Sequence, residues 1–368
     1  MRRVSRWALA HAERHFFLVD PSGERPPKNL TDSPDWDDYD PAWSPDDTRI
    51  NFQSANQNNT YRRIMTINTD GTGPTDLSAA LWLPDTVYDY PVWSPDAGSL
   101  AFASARAGSK DIYVCSADGT GIRRLTSLPG DEDLPVWSAD GKEILFSEDA
   151  DGTPGLYSVP LDGGEPSPIL ALAGAWYPGW SPDRSFFAEA DPINGVGITD
   201  HRTKNTVRLD NPIPESDWPN HYDLAWSPLG NWLAFVAWYP NSTTALFVVD
   251  ADGGRLRKLA DIGHNEVSKI FAWSPDGTHI AFVKPVCASF PCSREIHLVQ
   301  AASGPPYRLT TDGSVEGEPY WSPDGRRLAF ISDRGGRDIL FVVAPSGSDA
   351  VAIFEADNIT TLEWSPAR

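Results

Sequence analysis

Short apolar runs, each bounded by turn-forming residues, follow one another along the whole chain. A run such as Leu100–Phe102 or Leu328–Phe330 comes after a polar turn, and a second run such as Ile112–Val114 or Ile339–Val343 follows it. The runs are rich in β-branched and aromatic side chains and are separated by Gly, Pro, Asp and Ser, the pattern of β-strands joined by hairpin turns. No stretch of comparable strength has the 3.6-residue period of an amphipathic helix, so the sequence predicts an almost entirely β structure.

Tryptophans mark a repeat in this pattern. The sequence Trp-Ser-Pro-Asp-Gly, intact or degraded, recurs eight times at intervals of 43 to 50 residues. Four short antiparallel strands per unit of about 45 residues is the size of one β-propeller blade. We name the strands of a unit A to D from the axis outward, with the tryptophan ending strand A. These tryptophans, which we interpret as scaffold packed between neighbouring sheets, are Trp43, Trp93, Trp137, Trp180, Trp226, Trp273, Trp321 and Trp364.

The two ends of the chain complement each other as one blade. Residues 1–31 carry segments like strands B, C and D but no strand A, and residues 359–366 supply a strand A with no partner strands after it. Joining them removes an unpaired sheet edge. The sequence therefore predicts an all-β fold, a single closed β-propeller of about eight four-stranded antiparallel blades over residues 1–368; a seven-blade ring with one unclosed unit is the alternative. The further blades are predicted to begin near residues 39, 89, 133, 176, 222, 269 and 317.

The repeat carries a family resemblance. The Trp-Ser-Pro-Asp-Gly turn, followed by Leu-Ala-Phe and then by Ile-Tyr-Val with Asp-Gly, resembles the WD40-like PD40 repeat of TolB-type propellers. Related blades occur in the propeller domains of tricorn and prolyl-oligopeptidase-type peptidases. The resemblance covers essentially the whole chain and implies the architecture far more specifically than the function. Because the TolB translocation protein has fewer blades and an additional N-terminal domain, its particular partners are not carried over.

The charge of the chain restricts its partners. Asp and Glu number 51 against 30 Lys and Arg, which gives a formal net charge of −21. This balance disfavours a nucleic-acid partner and docking on anionic lipid, both of which need clustered basic residues. No apolar run approaches the roughly 18 residues of a membrane span, so we expect no direct membrane insertion, and no signal peptide is visible at the start.

The connections between strands suggest where a ligand binds. The A–B and C–D turns are short and uniform, whereas the D–A and B–C loops are longer and variable, and variable loops on a rigid scaffold usually carry binding residues. An acidic, aromatic-lined mouth of the central channel would accept a basic or extended protein or peptide segment. The alternative is a solvated acidic rim with aromatic side chains covering the blade ends. The residues predicted to bind there are Trp36, Tyr39, Asp40, Trp82, Asp89, Tyr90, Asp133, Trp176, Tyr177, Trp218, His221, Tyr222, Asp223, Glu316 and Glu318.

Signals for catalysis are weak. There is no Gly-x-Ser-x-Gly motif, so the hydrolase domain of the peptidase relatives is missing. His11 and His15 are close together without an acidic partner at metal-ligand spacing, and His221 and His264 are too few for a metal-dependent lyase. We therefore expect a non-enzymatic scaffold that binds protein or peptide, with no catalytic residue, metal or cofactor. The alternatives are a propeller-type lyase or glycan-acting enzyme that uses the same mouth, and a sensor or spacer domain of a larger receptor or peptidase.

Three cysteines bear on the compartment. Cys287 and Cys292 flank Ala-Ser-Phe-Pro in the B–C loop of blade 7, a spacing at which a disulfide can close, whereas Cys115 has the setting of a small buried residue. A disulfide favours a periplasmic or extracellular location, since the cytosol keeps thiols reduced. The missing signal peptide favours the cytoplasmic alternative.

Overall fold

The structure is a computed structural model of the 368-residue chain and is all-β. In the ranges that it describes, 32 strands form eight four-stranded antiparallel sheets, arranged as the blades of a β-propeller, and Arg334–Gly336 form a single turn of 3₁₀ helix. The described residues are 7–12, 14–58, 61–79, 88–150, 153–171, 176–191, 195–209, 222–238, 244–263, 271–286, 292–311, 313–347 and 350–366.

The chain divides into two compact units of four blades each. The first consists of Met1–Asp20, Pro26–Ala173 and Thr360–Arg368, and the second of Pro21–Arg25 and Gly174–Ile359. Within each blade, sequential strands pair in antiparallel register, as expected for strands joined by short turns.

The first unit contains blades 1 to 4. Blade 1 is formed by β1 (Ala8–Ala12), β2 (His15–Val19), β3 (Lys28–Asn29) and the last strand of the chain, β32 (Ile359–Trp364). Blade 2 is formed by β4 (Trp36–Trp43), β5 (Arg49–Asn56), β6 (Arg62–Asn68) and β7 (Thr75–Asp76). Blade 3 is formed by β8 (Tyr88–Trp93), β9 (Ser99–Ser104), β10 (Asp111–Ser116) and β11 (Arg123–Arg124). Blade 4 is formed by β12 (Asp131–Trp137), β13 (Glu143–Ala150), β14 (Thr153–Pro160) and β15 (Ser167–Ala171).

The second unit contains blades 5 to 8. Blade 5 is formed by β16 (Trp176–Trp180), β17 (Phe186–Asp191), β18 (Gly195–Asp200) and β19 (Thr206–Arg208). Blade 6 is formed by β20 (Tyr222–Trp226), β21 (Trp232–Trp238), β22 (Thr244–Asp250) and β23 (Arg257–Gly263). Blade 7 is formed by β24 (Phe271–Trp273), β25 (His279–Val286), β26 (Ser293–Gln300) and β27 (Tyr307–Arg308). Blade 8 is formed by β28 (Tyr320–Trp321), β29 (Leu328–Ser332), β30 (Asp338–Val343) and β31 (Val351–Ala356).

Blade 1 is shared by the two ends of the chain, as the sequence predicts. Its strand order is β3-β2-β1-β32, so the C-terminal strand is the A strand of the N-terminal blade. The main-chain N–H of Ser365 donates to Trp7 O at 3.1 Å, and His11 Nδ1 lies 2.6 Å from Thr360 Oγ1. The eight-blade prediction is confirmed, and the seven-blade alternative is wrong.

The apolar core of each unit lies between consecutive blades. In the first unit, one cluster joins Leu9 and Phe16 of blade 1 to Ile50 and Phe52 of blade 2. In the second unit, clusters of the same kind join blades 5 and 6, 6 and 7, and 7 and 8. These side chains come from alternate positions of strands A to C, because successive residues of a strand point to opposite faces of its sheet.

Candidate functional site

The predicted site residues are divided between the two units, and about half have described side chains. In the first unit, Trp36, Tyr39 and Asp40 lie in β4 and Asp133 lies in β12. In the second unit, Asp223 lies in β20, and Glu316 and Glu318 come just before β28. Trp82, Trp218 and His221 lie outside the described residues. The backbone alone is described for Asp89, Tyr90, Trp176, Tyr177 and Tyr222.

A bulge interrupts the A strand of four blades. The register shifts between Tyr39 and Ala42 in β4 and between Asp133 and Val136 in β12, with similar shifts in β8 and β16. A proline lies within each bulge, where its missing N–H costs no ladder hydrogen bond. The four prolines are Pro41, Pro91, Pro135 and Pro178. Bulges re-aim side chains and are common next to binding sites, so these positions are candidates for ligand contact.

Asp40 and Leu134, the residues before two of these prolines, have an unusual backbone conformation. Their φ angles are +49° and +53°, in the left-handed region that residues other than glycine rarely adopt. Both are exposed, and Leu134 keeps 42% of its surface accessible although it is a large apolar residue. Strained conformations concentrate at functional sites. Sequence reasoning selected Asp40 but missed Leu134, whose only signal was the residue-proline pair recurring at the same place in four repeats.

The aromatic residues of β4 are covered by arginines of the same blade. The Arg63 guanidinium lies 3.6 Å from the centre of the Trp36 ring, and Arg62 lies 5.9 Å from that of Tyr39. Tyr61 packs edge-on against Trp36, with ring centres 5.8 Å apart. The local surface of blade 2 is thus a mixture of aromatic and cationic groups, since arginine stacks favourably on indole and phenol faces.

Basic partners neutralise part of the predicted acidic surface. Lys110 Nζ lies 2.6 Å from Asp133 Oδ2 in the first unit. In the second unit, Arg334 Nη2 lies 2.9 Å from Oε1 of the fully buried Glu316, and Tyr320 donates its hydroxyl to Glu318 at 2.6 Å. Asp133 and Glu316 therefore stabilise their blades as paired groups instead of presenting free negative charge.

Asp40 differs from these acids because it is exposed. Its Oδ2 accepts a hydrogen bond from the amide of Gln53 on the neighbouring strand at 3.2 Å.

Two acids lie beside the histidine pair of blade 1. Arg14 Nε contacts Asp37 Oδ1 at 3.1 Å, and the N–H of Asp38 donates to Arg14 O. Burial lowers the pKa of His11, the neighbouring His15 lowers it further, and Asp37 opposes both. The spacing of residues along the sequence did not identify these two acids, because they belong to blade 2 whereas the histidines belong to blade 1. In the part of the chain that the structure describes, no three or more His, Cys, Asp or Glu residues are placed to hold a metal ion.

Surface grooves occur at the other end of the blades, beside the A–B and C–D turns. In the first unit a groove of about 620 Å³ is lined by Lys142, Glu143 and Leu161. In the second unit, grooves of about 400 and 340 Å³ lie on either side of the turn that contains Asp276 and ends at His279, the first residue of β25. This is the opposite end of each blade from the D–A and B–C loops where the sequence predicts binding.

The described cysteines differ in state. Cys292 is disulfide-bonded, whereas Cys115 is free and buried, and burial raises the pKa of its thiol to about 12. Cys287 lies outside the described residues. None of the described helices has the length and apolar character needed to cross a membrane.

Comparison with known proteins identifies the family. The family described as "PD40: TolB beta propeller domain" matches residues 40–211 and 222–368. The chain belongs to this family. A segment of 143 residues is 29% identical to the uncharacterized peptidase YuxL of Bacillus subtilis and covers 30% of the chain and 22% of that protein. Another of 87 residues is 33% identical to the Tol-Pal system protein TolB of Alcanivorax borkumensis and covers 24% of the chain and 19% of TolB. The matched segments thus span about a fifth of the length of these relatives.

Solved structures of enzymes have the same fold as this chain. An oligogalacturonate lyase in complex with manganese aligns over 93% of this chain and 97% of its own, with a TM-score of 0.59 and 14% identity. The dihydro-heme d1 dehydrogenase NirN aligns over 99% of this chain and 76% of its own, with a TM-score of 0.69 and 12% identity. At these identities the likeness shows the fold alone, because one propeller architecture carries many unrelated activities.

Proposed function

We propose that the chain is a non-enzymatic scaffold that binds a protein or peptide segment through the D–A and B–C ends of its blades. Membership of the PD40 TolB propeller family supports this, and the TolB relative of Alcanivorax borkumensis is named as a protein of the Tol-Pal system. The net charge of −21 and the exposed carboxylate of Asp40 favour a basic segment.

One observation carries the proposal: the exposed Leu134 on the bulge of β12. An apolar side chain held in water by a strained backbone stabilises neither the core nor the sheet. A partner that covers it would bury apolar surface at a point bordered by the Lys110–Asp133 ion pair. An apolar anchor within a polar surround is the usual composition of a protein-binding surface.

The test is peptide selection followed by binding to matched variants. Peptides are selected from a displayed random library on the wild-type chain, and their affinity is then measured for Leu134→Asn and for Leu229→Asn. Asparagine tolerates a positive φ, so Leu134→Asn removes the apolar group without adding strain. Leu229 is 68% exposed in the A–B turn of blade 6 and serves as the control.

We expect the selected peptides to bind Leu134→Asn about tenfold more weakly than wild type and Leu229→Asn unchanged, since loss of one apolar anchor costs roughly 1.4 kcal/mol or more. Full affinity for Leu134→Asn with lost affinity for Leu229→Asn would place binding at the grooves beside the A–B turns and would overturn the proposal.

The absence of catalysis is tested separately. The protein is incubated with oligogalacturonate in the presence of manganese, because an oligogalacturonate lyase in complex with manganese shares the fold. We expect no turnover above that of a heat-denatured sample. Turnover abolished by chelation would replace the scaffold with a metal-dependent lyase.

We also propose a periplasmic or extracellular location. The disulfide at Cys292 supports it, because disulfides persist in oxidising compartments and are rare in the cytosol. Titration of thiols in unreduced, denatured protein purified from its native host should find one free thiol, that of Cys115. Three free thiols would favour a cytoplasmic location.

A further inference from the structure

Two fully buried carboxyl groups lie at the junction of blades 3 and 4. Asp111 begins β10 and Glu132 is the second residue of β12, and both have 0% exposure. Thr126 Oγ1 donates to Glu132 Oε2 at 2.8 Å, and the N–H of Leu128 donates to Oε1 at 2.7 Å. Arg124 Nη2 lies 2.6 Å from Asp111 Oδ1. Among the described residues, this arginine pairs with Asp111, and no arginine pairs with Glu132.

The junction of blades 7 and 8 places two buried acids at equivalent positions, but there the threonine after strand D bonds to the first acid and not to the second. Glu295 occupies the position of Asp111, because Arg308 of the adjacent strand D pairs with it as Arg124 pairs with Asp111. The hydroxyl of Thr310 donates to Glu295 Oε2 at 2.6 Å. The first buried acid of each junction thus has its own arginine.

Glu316 occupies the position of Glu132. The N–H of Glu316 donates to Arg294 O at 3.0 Å, and the N–H of Glu132 donates to Lys110 O at 2.9 Å. Arg334 Nη2 pairs with Glu316 at 2.9 Å. Blades 7 and 8 therefore supply two arginines for two buried acids.

Blade 4 has no arginine at the equivalent place. In blade 8, Ser332 pairs across the sheet with the buried Glu316, and Arg334 lies two residues after Ser332. In blade 4, Glu148 pairs across the sheet with Glu132, and the residue two positions farther on is Ala150. The junction of blades 3 and 4 is one positive charge short of its counterpart.

Among the described residues, no other basic group pairs with Glu132. The amine of Lys110 pairs with Asp133, the guanidinium of Arg106 lies 5.6 Å from the ring centre of Tyr113, and Glu148 adds a further acid. Asp131 accepts from the N–H of Lys110, and burial together with the neighbouring Glu148 raises the pKa of Tyr157. Burial and the neighbouring Asp111 together raise the pKa of Glu132 to about 7, against the hydrogen bonds from Thr126 and Leu128, which lower it.

We propose that Asp111 and Glu132 hold one proton between them near neutral pH and act as a pH-sensitive latch between blades 3 and 4. Release of that proton to solvent leaves two buried carboxylates beside one arginine, and their repulsion weakens the packing of β12 on blade 3. Glu132 lies two residues before Leu134, so the latch acts on the strand segment that carries the exposed bulge.

The direction in which pH changes the stability follows from the titration of Glu132 in the unfolded and in the folded chain. In the unfolded chain Glu132 titrates near its ordinary pKa of 4.5, whereas in the folded chain it titrates at about 7. The latch therefore contributes stability that is fully present below the unfolded pKa and is lost as the pH rises through about 7.

The test measures urea unfolding of the full chain across that range, with Glu132→Gln as the variant, because glutamine resembles the protonated acid. We expect equal urea midpoints for the two proteins near pH 5 and a higher midpoint for Glu132→Gln near pH 8. Between those pH values, the folding equilibrium constants of the two proteins should diverge by up to about tenfold per pH unit. A difference between the two midpoints that does not change with pH would overturn the latch.

Glu316→Gln is the matched control. Because Arg334 compensates Glu316, this change should lower the midpoint at every pH, and its deficit should not shrink as the pH rises. If Glu132→Gln behaves in the same way, Glu132 is an ordinary ionised acid and the proposal is wrong.

A direct titration serves if either variant fails to fold. In wild-type protein with ¹³C-labelled glutamate side chains, we expect a buried carboxyl resonance that titrates near neutral pH. The absence of any glutamate titration between about pH 6 and 8 would overturn the proposal.

Discussion

The indole Nε1 of Trp93 donates a hydrogen bond to the main-chain carbonyl of Ala42, 3.2 Å away on strand A of the preceding blade. The acceptor is the residue before the tryptophan of that blade, Trp43. Four further repeat tryptophans make the same bond: Trp137 to Val92 in the first unit, and Trp226 to Gly179, Trp273 to Ala225 and Trp321 to Ala272 in the second. The repeat period thus appears in the structure as a bond from each of these blades to the one before it.

This bond predicts a difference between two tryptophans of equal burial. Trp273 and Trp43 are each 9% exposed, but Nε1 of Trp43 has no hydrogen-bond partner among the described residues. We expect Trp273→Phe to lower the free energy of unfolding by about 1 kcal/mol more than Trp43→Phe, because only the first change leaves a carbonyl without its donor. Urea unfolding of both variants measures this. Equal losses would show that the indole contributes by packing alone.

The backbone of Leu134 predicts a stabilising substitution. Its φ of +53° is unfavourable for a leucine, and its side chain is exposed. Leu134→Asn should leave the free energy of unfolding unchanged or raise it by up to about 1 kcal/mol. A thermal melt checks this, and a large loss would show that Leu134 belongs to the core and not to a binding surface.

Buried and exposed ion pairs should respond differently to loss of their arginine. Arg308 pairs with Glu295, whose side chain is fully buried, whereas Arg337 pairs with the exposed Glu355 and Asp357. Arg308→Met should cost about 3 kcal/mol because it strands a buried carboxylate. Arg337→Met should cost much less, because water and salt screen an exposed ion pair. Similar losses for the two variants in urea unfolding would contradict this assignment.

The repeated turn predicts a loss of stability in acid. Hydrogen bonds from the Ser94 hydroxyl and from the N–H of Gly98 lower the pKa of Asp96 below its ordinary 3.8. The contribution of this turn is therefore present above about pH 4 and lost as the pH falls through the lower folded pKa. Ser94→Ala should move the Asp96 titration, followed by NMR, back towards 3.8. No movement would mean that the hydroxyl does not set this pKa.

The eight blades and their joined ends can be predicted from the sequence, because each depends on local signals repeated at a fixed period. The tryptophan at the end of strand A and the turn that follows it are contiguous in the chain. The N-terminal segment lacks a strand A, and the C-terminal segment supplies a strand A without partner strands, so the two segments can be recognised as one blade. Such features need no knowledge of which strands are neighbours in space.

The charge state of the predicted site could not be obtained in this way. Lys110 and Asp133 are 23 residues apart and meet because strand C of one blade adjoins strand A of the next. In the sequence, Leu134 cannot be distinguished from an ordinary strand residue, because its amino-acid type does not show that its φ is positive before Pro135. The sequence predicts an acidic, aromatic-lined channel mouth, whereas Asp133 and Glu316 are paired with Lys110 and Arg334.

Hydrogen–deuterium exchange of the chain with and without a selected peptide tests most directly whether the bulged A strands bind the partner. We expect the peptide to slow exchange at the described amides around Asp40 in β4 and Leu134 in β12, and to leave exchange in the turns that follow Trp93 and Trp137 unchanged. Slowed exchange confined to those turns, with β4 and β12 unaffected, would contradict this expectation.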